Sequence, residues 1–121
     1  MINRCVSALT PFIPAKDFEL SLRFYRDLGF DEVVREPKMV RLGISSFGFW
    51  LQDYYVKEWA ENCMLCLYVE NLEDWWSHIS EMNLAVNYNA NARVTPPHLQ
   101  DGATMLQLID PAGVLWHLRQ S

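Results

Sequence analysis

An internal repeat constrains this chain more than any other feature of its sequence. Asp17 and Asn71, 54 positions apart, each follow an apolar stretch and precede a segment with helical periodicity. At the same offset Phe18, Leu22, Tyr25 and Leu28 fall on Leu72, Trp76, Ile79 and Met82, so an i, i+4, i+7 stripe is written twice. Glu19 falls on Glu73, where a carboxylate favours the first helical turn. Asp17 and Asn71 are N-cap residue types, and the stop signals Gly29 and Asn83 both tolerate left-handed backbone. Start, stripe and stop agree, which requires two copies of one supersecondary unit.

Around each helix the sequence alternates short apolar runs with turn residues. Strands are expected near Cys5 to Ile13, Phe30 to Arg35, Met39 to Gly43 and Phe47 to Asp53 in the first half. The second half offers Cys63 to Val69, Leu84 to Tyr88, Ala103 to Ile109 and Val114 to Arg119. Both halves therefore read β-α-β-β-β, an α+β fold with a first module at about 1–53, a linker at about 54–61 and a second module at about 62–121. The segment Asp110-Pro111-Ala112-Gly113 has hairpin-turn chemistry and joins the last two strands. Pro96-Pro97 and the polar run from Asn87 to Asn91 predict a longer irregular connection, placed where a loop can cover a pocket.

At 121 residues, half of them apolar, the chain is sized for one domain with its own core. No apolar run approaches the roughly 20 residues that cross a bilayer, and no basic-then-apolar leader opens the sequence, so a cytoplasmic protein without a membrane partner is expected. Fifteen acidic against ten basic residues give a formal charge of −5, which repels polyanions and argues against nucleic acid. Three cysteines, Cys5, Cys63 and Cys66, are an odd number in a chain able to fold without staples, and no disulfide is expected.

The run PFIPAKDFELSLRFYRDLGF, Pro11 to Phe30, resembles the strand, helix and Leu-Gly-Phe ending that open glyoxalase-like and bleomycin-resistance proteins. The closing LIDPAGVLWHL, Leu108 to Leu118, is similar to their DPxG hairpin. The resemblance is to the vicinal-oxygen-chelate superfamily, and most of all to its bleomycin-resistance-like branch. It implies paired βαβββ modules whose mixed sheets curl into a cup, and a homodimer. Metal-using members place histidine and glutamate ligands on the first and last strands of a module. Here the first-strand positions fall on Thr10 and on Met64 or Cys66, and the last-strand positions on Trp50 and His117. A working site wants three or four converging donors. The departures at nearly every position speak against a metal, a cofactor and catalysis.

The remaining candidates are read from the residues. Cys63-x-x-Cys66 has redox or zinc spacing, but positions three apart on a strand point to opposite faces, so the pair is expected to be ordinary strand cysteines. His117 alternates with Trp116 and Leu118 and should face the cup with Leu115 and Arg119; alone it is a pocket or ligand-contact residue rather than a catalyst. Phe12, Trp50 and Tyr68 supply flat surfaces, with Tyr54, Tyr55 and Trp59 near the linker; rings of this kind either stack a planar ligand or fill the core and dimer interface. Trp76 lies on the repeated stripe and Trp75 at its edge, in helix packing. The expectation is a non-catalytic small-molecule binder that sequesters a planar, cationic ligand at a dimer cup contacted by Thr10, Phe12, Trp50, Cys66, Tyr68 and His117. The alternative is a glyoxalase-type lyase or ring-cleaving dioxygenase.

Overall fold

Asp17 opens the first helix, α1 (Phe18–Leu28), with its Oδ1 accepting the Leu20 N–H at 3.2 Å. Asn71 opens α3 (Leu72–Glu81) in the same way through Asp74 N–H, also at 3.2 Å. The stripe is the buried face: Leu22, Tyr25 and Leu28 of α1 and Leu72 and Ile79 of α3 all lie in the core. Gly29 terminates α1 at φ 132°, donating its N–H to Tyr25 and Arg26 carbonyls.

The computed structural model describes all 121 residues. In the first half, β1 (Phe12–Pro14), β2 (Asp31–Glu36), β3 (Met39–Ile44) and β4 (Phe47–Gln52) form one sheet in the order β1-β4-β3-β2. In the second, β5 (Met64–Val69), β6 (Arg93–Val94), β8 (Ala103–Ile109) and β9 (Leu115–Gln120) run β5-β9-β8-β6, with β7 (His98–Gln100) also on β8. In each sheet the leading strand pairs parallel with the last, β1 with β4 and β5 with β9, and the other pairs are antiparallel. This is the α+β, two-unit architecture expected from the repeat. No helix is long and apolar enough to cross a membrane.

Three expected elements differ. The strand foreseen over Cys5 to Ile13 shrinks to β1, and residues 1–11 take no regular structure. Proline at 11 and 14 removes ladder donors there, and the chain holds on through Trp50 N–H to the Pro11 carbonyl at 2.9 Å. The run from Leu84 to Tyr88 is a single helical turn, α4 (Leu84–Asn87), rather than a strand. Asn83 sits left-handed at φ 48° and its carbonyl accepts the Val86 and Asn87 N–H groups, which starts a second turn; β6 takes the vacant place on β8. The linker contains a short helix, α2 (Lys57–Asn62).

One core of 23 buried residues spans both halves. At its centre the Tyr25 hydroxyl donates to Asp110 Oδ2 at 2.5 Å and accepts from Trp116 Nε1 at 2.8 Å, while Asp110 Oδ1 accepts Ala112 and Val114 N–H at 2.8 and 2.9 Å. The hairpin turn is therefore tied to the first helix. On the outside of α1, Asp27 holds the second half twice, accepting from the Tyr88 hydroxyl at 2.5 Å and from His78 Nε2 through its carbonyl at 2.7 Å.

Candidate binding surfaces on the two sheets

Strand alternation sends Ile13, Val40, Leu42, Phe49 and Leu51 into the core. It leaves Phe12, Arg41 and Trp50 on the open face of the first sheet. Phe12 and Trp50 are register partners, their rings stacked with centroids 6.4 Å apart and planes 22° from parallel. Arg41 pairs with Trp50 from the other side. The result is a flat aromatic shelf edged by a guanidinium.

On the second sheet Trp116 and Leu118 point inward, leaving Leu115, His117 and Arg119 on the open face, as the alternation predicts. Cys66 and Gln107 flank His117 in register, and Tyr68 flanks Arg119, whose guanidinium carbon lies 5.7 Å from the Tyr68 ring centre. His117 is held at both nitrogens. Gln107 Nε2 donates to Nδ1 at 3.2 Å, which leaves Nε2–H to meet Met64 Sδ at 3.1 Å. The chain of side chains continues from Gln107 Nε2 to Gln100 Oε1 at 3.2 Å and on to His98 Nε2 at 3.1 Å. His98 also donates Nδ1–H to the Pro96 carbonyl at 2.9 Å. With acceptors at both ring nitrogens, first the Pro96 carbonyl and then Gln100, the His98 pKa is raised above its ordinary value. His98 thus belongs to a polar relay over the sheet.

The six sequence candidates separate into groups. Phe12 and Trp50 meet on the first sheet, and Cys66, Tyr68 and His117 meet on the second. Thr10 lies on the irregular segment before β1, half-buried and on no strand. Cys5, Cys63 and Cys66 are free thiols; Cys63 is half-buried, with its pKa pushed up by burial and then by Asp110. No three His, Cys, Asp or Glu side chains converge closely enough to hold a metal ion.

Between the halves lies a cavity of about 230 Å³, floored by Phe49 and Trp116, with Phe47 and Leu67 as walls and Cys66 and Tyr68 among its lining. Sequence reasoning gave Phe47 no role beyond opening its strand and assigned Trp75 to helix packing, yet both line this seam. The available signal was that each falls off its element's apolar pattern: Trp75 precedes the stripe position Trp76, and Phe47 opens its strand beside a turn.

Two sheets built from repeated βαβββ-type units, each with a parallel leading strand and an open face, make this the fold of the vicinal-oxygen-chelate superfamily. No protein-family model matches the chain. In sequence it is similar to a bleomycin resistance protein of Klebsiella pneumoniae, 27% identical over 117 residues covering 93% of this chain and 90% of the relative. Among solved structures, a bleomycin-binding protein complexed with bleomycin matches with a TM-score of 0.81 at 26% identity, over 96% of this chain and 99% of that one. A lactoylglutathione lyase from Agrobacterium tumefaciens shares the fold alone, at 17% identity and a TM-score of 0.70 over 97% of this chain and 96% of the other.

Proposed function

We propose that the chain binds a small, planar, cationic ligand of the bleomycin type and sequesters it without transforming it. Two copies act together in a cytoplasm that keeps the three thiols reduced. The observation that carries this reading is the full-length similarity to a bleomycin resistance protein and to a bleomycin-binding protein. The physical support is the Phe12–Trp50 shelf, on which a planar ring system can stack for about 0.5–1.5 kcal/mol beyond its buried area. The two open faces belong to different sheets. A cup that uses Trp50 together with His117 is therefore completed by a second copy, with Thr10, Cys66 and Tyr68 at its margin. A net charge of −5 draws a cation and repels an anion.

Calorimetric titration with bleomycin tests the reading. Binding in the micromolar range or tighter is expected, and Trp50→Ala should weaken it by about 1–3 kcal/mol, roughly five- to a hundredfold. No binding below millimolar concentration, or an unchanged affinity in Trp50→Ala, overturns it. The lyase or dioxygenase alternative requires a converging donor set, and His117 with Cys66 supplies only two conventional donors. One tightly held metal per chain, lost in His117→Ala together with an activity, would shift the conclusion to an enzyme.

A further inference from the structure

The seam between the halves has a chemistry of its own. Its apolar compartment shares Phe47, Leu67 and Tyr68 with a neighbouring compartment of about 370 Å³, whose lining includes Glu70, Asp74 and Trp75. The first compartment, at about 230 Å³, is smaller than the roughly 300–1,000 Å³ of drug-sized sites, so it takes an aromatic ring while the rest of a ligand extends into the second. Glu70 and Asp74 take part in neither of the chain's ion pairs, which are Arg26–Glu32 and Arg35–Glu32. No lysine or arginine lines either compartment. Arg119 lies over the Tyr68 ring from the sheet face and is not among the lining residues. The half charge at the start of α3 is more than offset by Glu73 and Asp74 in its first turn. Phe47 is 71% exposed and Tyr68 62% exposed, so both rings present faces to whatever enters.

We propose that this seam is a second binding site, within one chain, for an organic cation carrying its charge on a short arm from a flat apolar ring. The ring enters between Phe47 and Leu67 above Trp116, and the ammonium lies beside Asp74 and Glu70 near Trp75. A cation in this position gains both carboxylates and the aromatic faces, whereas an anion of the same shape meets two like charges. The site borders the sheet-face cup at Cys66 and Tyr68 but uses neither Trp50 nor His117, and it needs no second copy.

The test is a matched pair of probes, naphthylethylammonium and naphthylacetate, titrated into the full chain by calorimetry. The ammonium should bind about tenfold or more tighter than the carboxylate at low ionic strength, and the gap should narrow with salt. Asp74→Asn combined with Glu70→Gln should lower the ammonium's affinity about five- to tenfold and leave the carboxylate's unchanged or improved. Phe47→Ala should weaken both. All three positions are solvent-exposed or at the groove rim, so folding is not at stake, and thermal melts confirm it. Trp50→Ala should weaken bleomycin and leave intact the affinity gap between the two naphthyl probes, which the Asp74→Asn, Glu70→Gln variant removes, so failure of the cup and failure of the seam are read separately. Equal affinity for the two probes, binding by neither at millimolar concentration, or loss in Trp50→Ala without loss in the carboxylate double variant overturns the proposal.

Discussion

Asp110 is the residue on which the two halves depend most. It is fully buried, and burial pushes its pKa up to about 6 against the opposing pull of Tyr25 and three backbone N–H groups. Burial also raises the Tyr25 phenol, and the neighbouring carboxylate adds to that shift. Because the folded state holds the Asp110 proton to higher pH than the unfolded chain, its contribution is complete below the unfolded value of 3.8 and is lost as pH rises through about 6. Denaturant titrations should therefore show stability falling by about 2–3 kcal/mol across that window from this group alone, and Asp110→Asn should remove the slope. A wild-type profile that rises or stays flat from pH 4 to 6, or a slope that persists in Asp110→Asn, would show that Asp110 does not titrate this way. Tyr25→Phe should cost about 1–3 kcal/mol, because Trp116 Nε1 and Asp110 each lose a partner without access to water. Little of this was legible in the sequence. Asp110 reads as a turn residue, and Tyr25 and Trp116 as core; only the folded register places the three side chains at one point.

At the scale of elements the repeat was highly informative, and its limits are as instructive as its successes. Helices α1 and α3, the hairpin after Asp110 and the strands β3, β4, β8 and β9 follow from periodicity and turn chemistry, which are local properties of the chain. The first strand and the strand expected at Leu84 do not, because β1 has a partner on one side only and Asn83 redirects the chain into another helical turn. The candidate residues' faces were readable from alternation, but their division between two sheets was not, since alternation says which side a residue takes and not which sheet lies opposite. The paired stop signals also differ in kind. Gly29 has φ 132° and open space where a Cβ would stand, so its backbone angle alone reserves the position for glycine, whereas Asn83 at φ 48° and ψ 63° is in the left-handed well that asparagine tolerates. Gly29→Asn should then cost about 1–3 kcal/mol in urea denaturation, while Asn83→Gly should stay within about 0.5 kcal/mol of wild type. Equal effects at the two stops would mean that their different backbone angles do not matter to stability.

At the scale of the whole molecule, what the chain leaves in water sets its association. Ile2, Val6 and Leu9 are 80, 80 and 93% exposed along a segment without regular structure. Phe12 and Tyr54 add exposed rings nearby, and Tyr54 meets Trp59 with centroids 6.3 Å apart. Scattered apolar side chains are ordinary on a monomer, but a row of them leading into an aromatic shelf is the surface that the proposed two-copy assembly would cover. A two-fold pair is the simplest closed arrangement, and it is the one that can set the shelf of one copy against the His117 face of the other. Sedimentation at micromolar concentration should give a dimer. Its affinity should be largely insensitive to salt, because apolar burial rather than ion pairing holds it. Val6→Asp combined with Leu9→Asp should shift the equilibrium toward monomer without lowering the thermal midpoint of the fold measured where both proteins are monomeric, since neither side chain joins the core. In that variant bleomycin binding should weaken along with dimerisation, whereas naphthylethylammonium binding at the seam should not. A wild-type protein that stays monomeric throughout the micromolar range removes the shared cup and leaves each sheet face to act by itself.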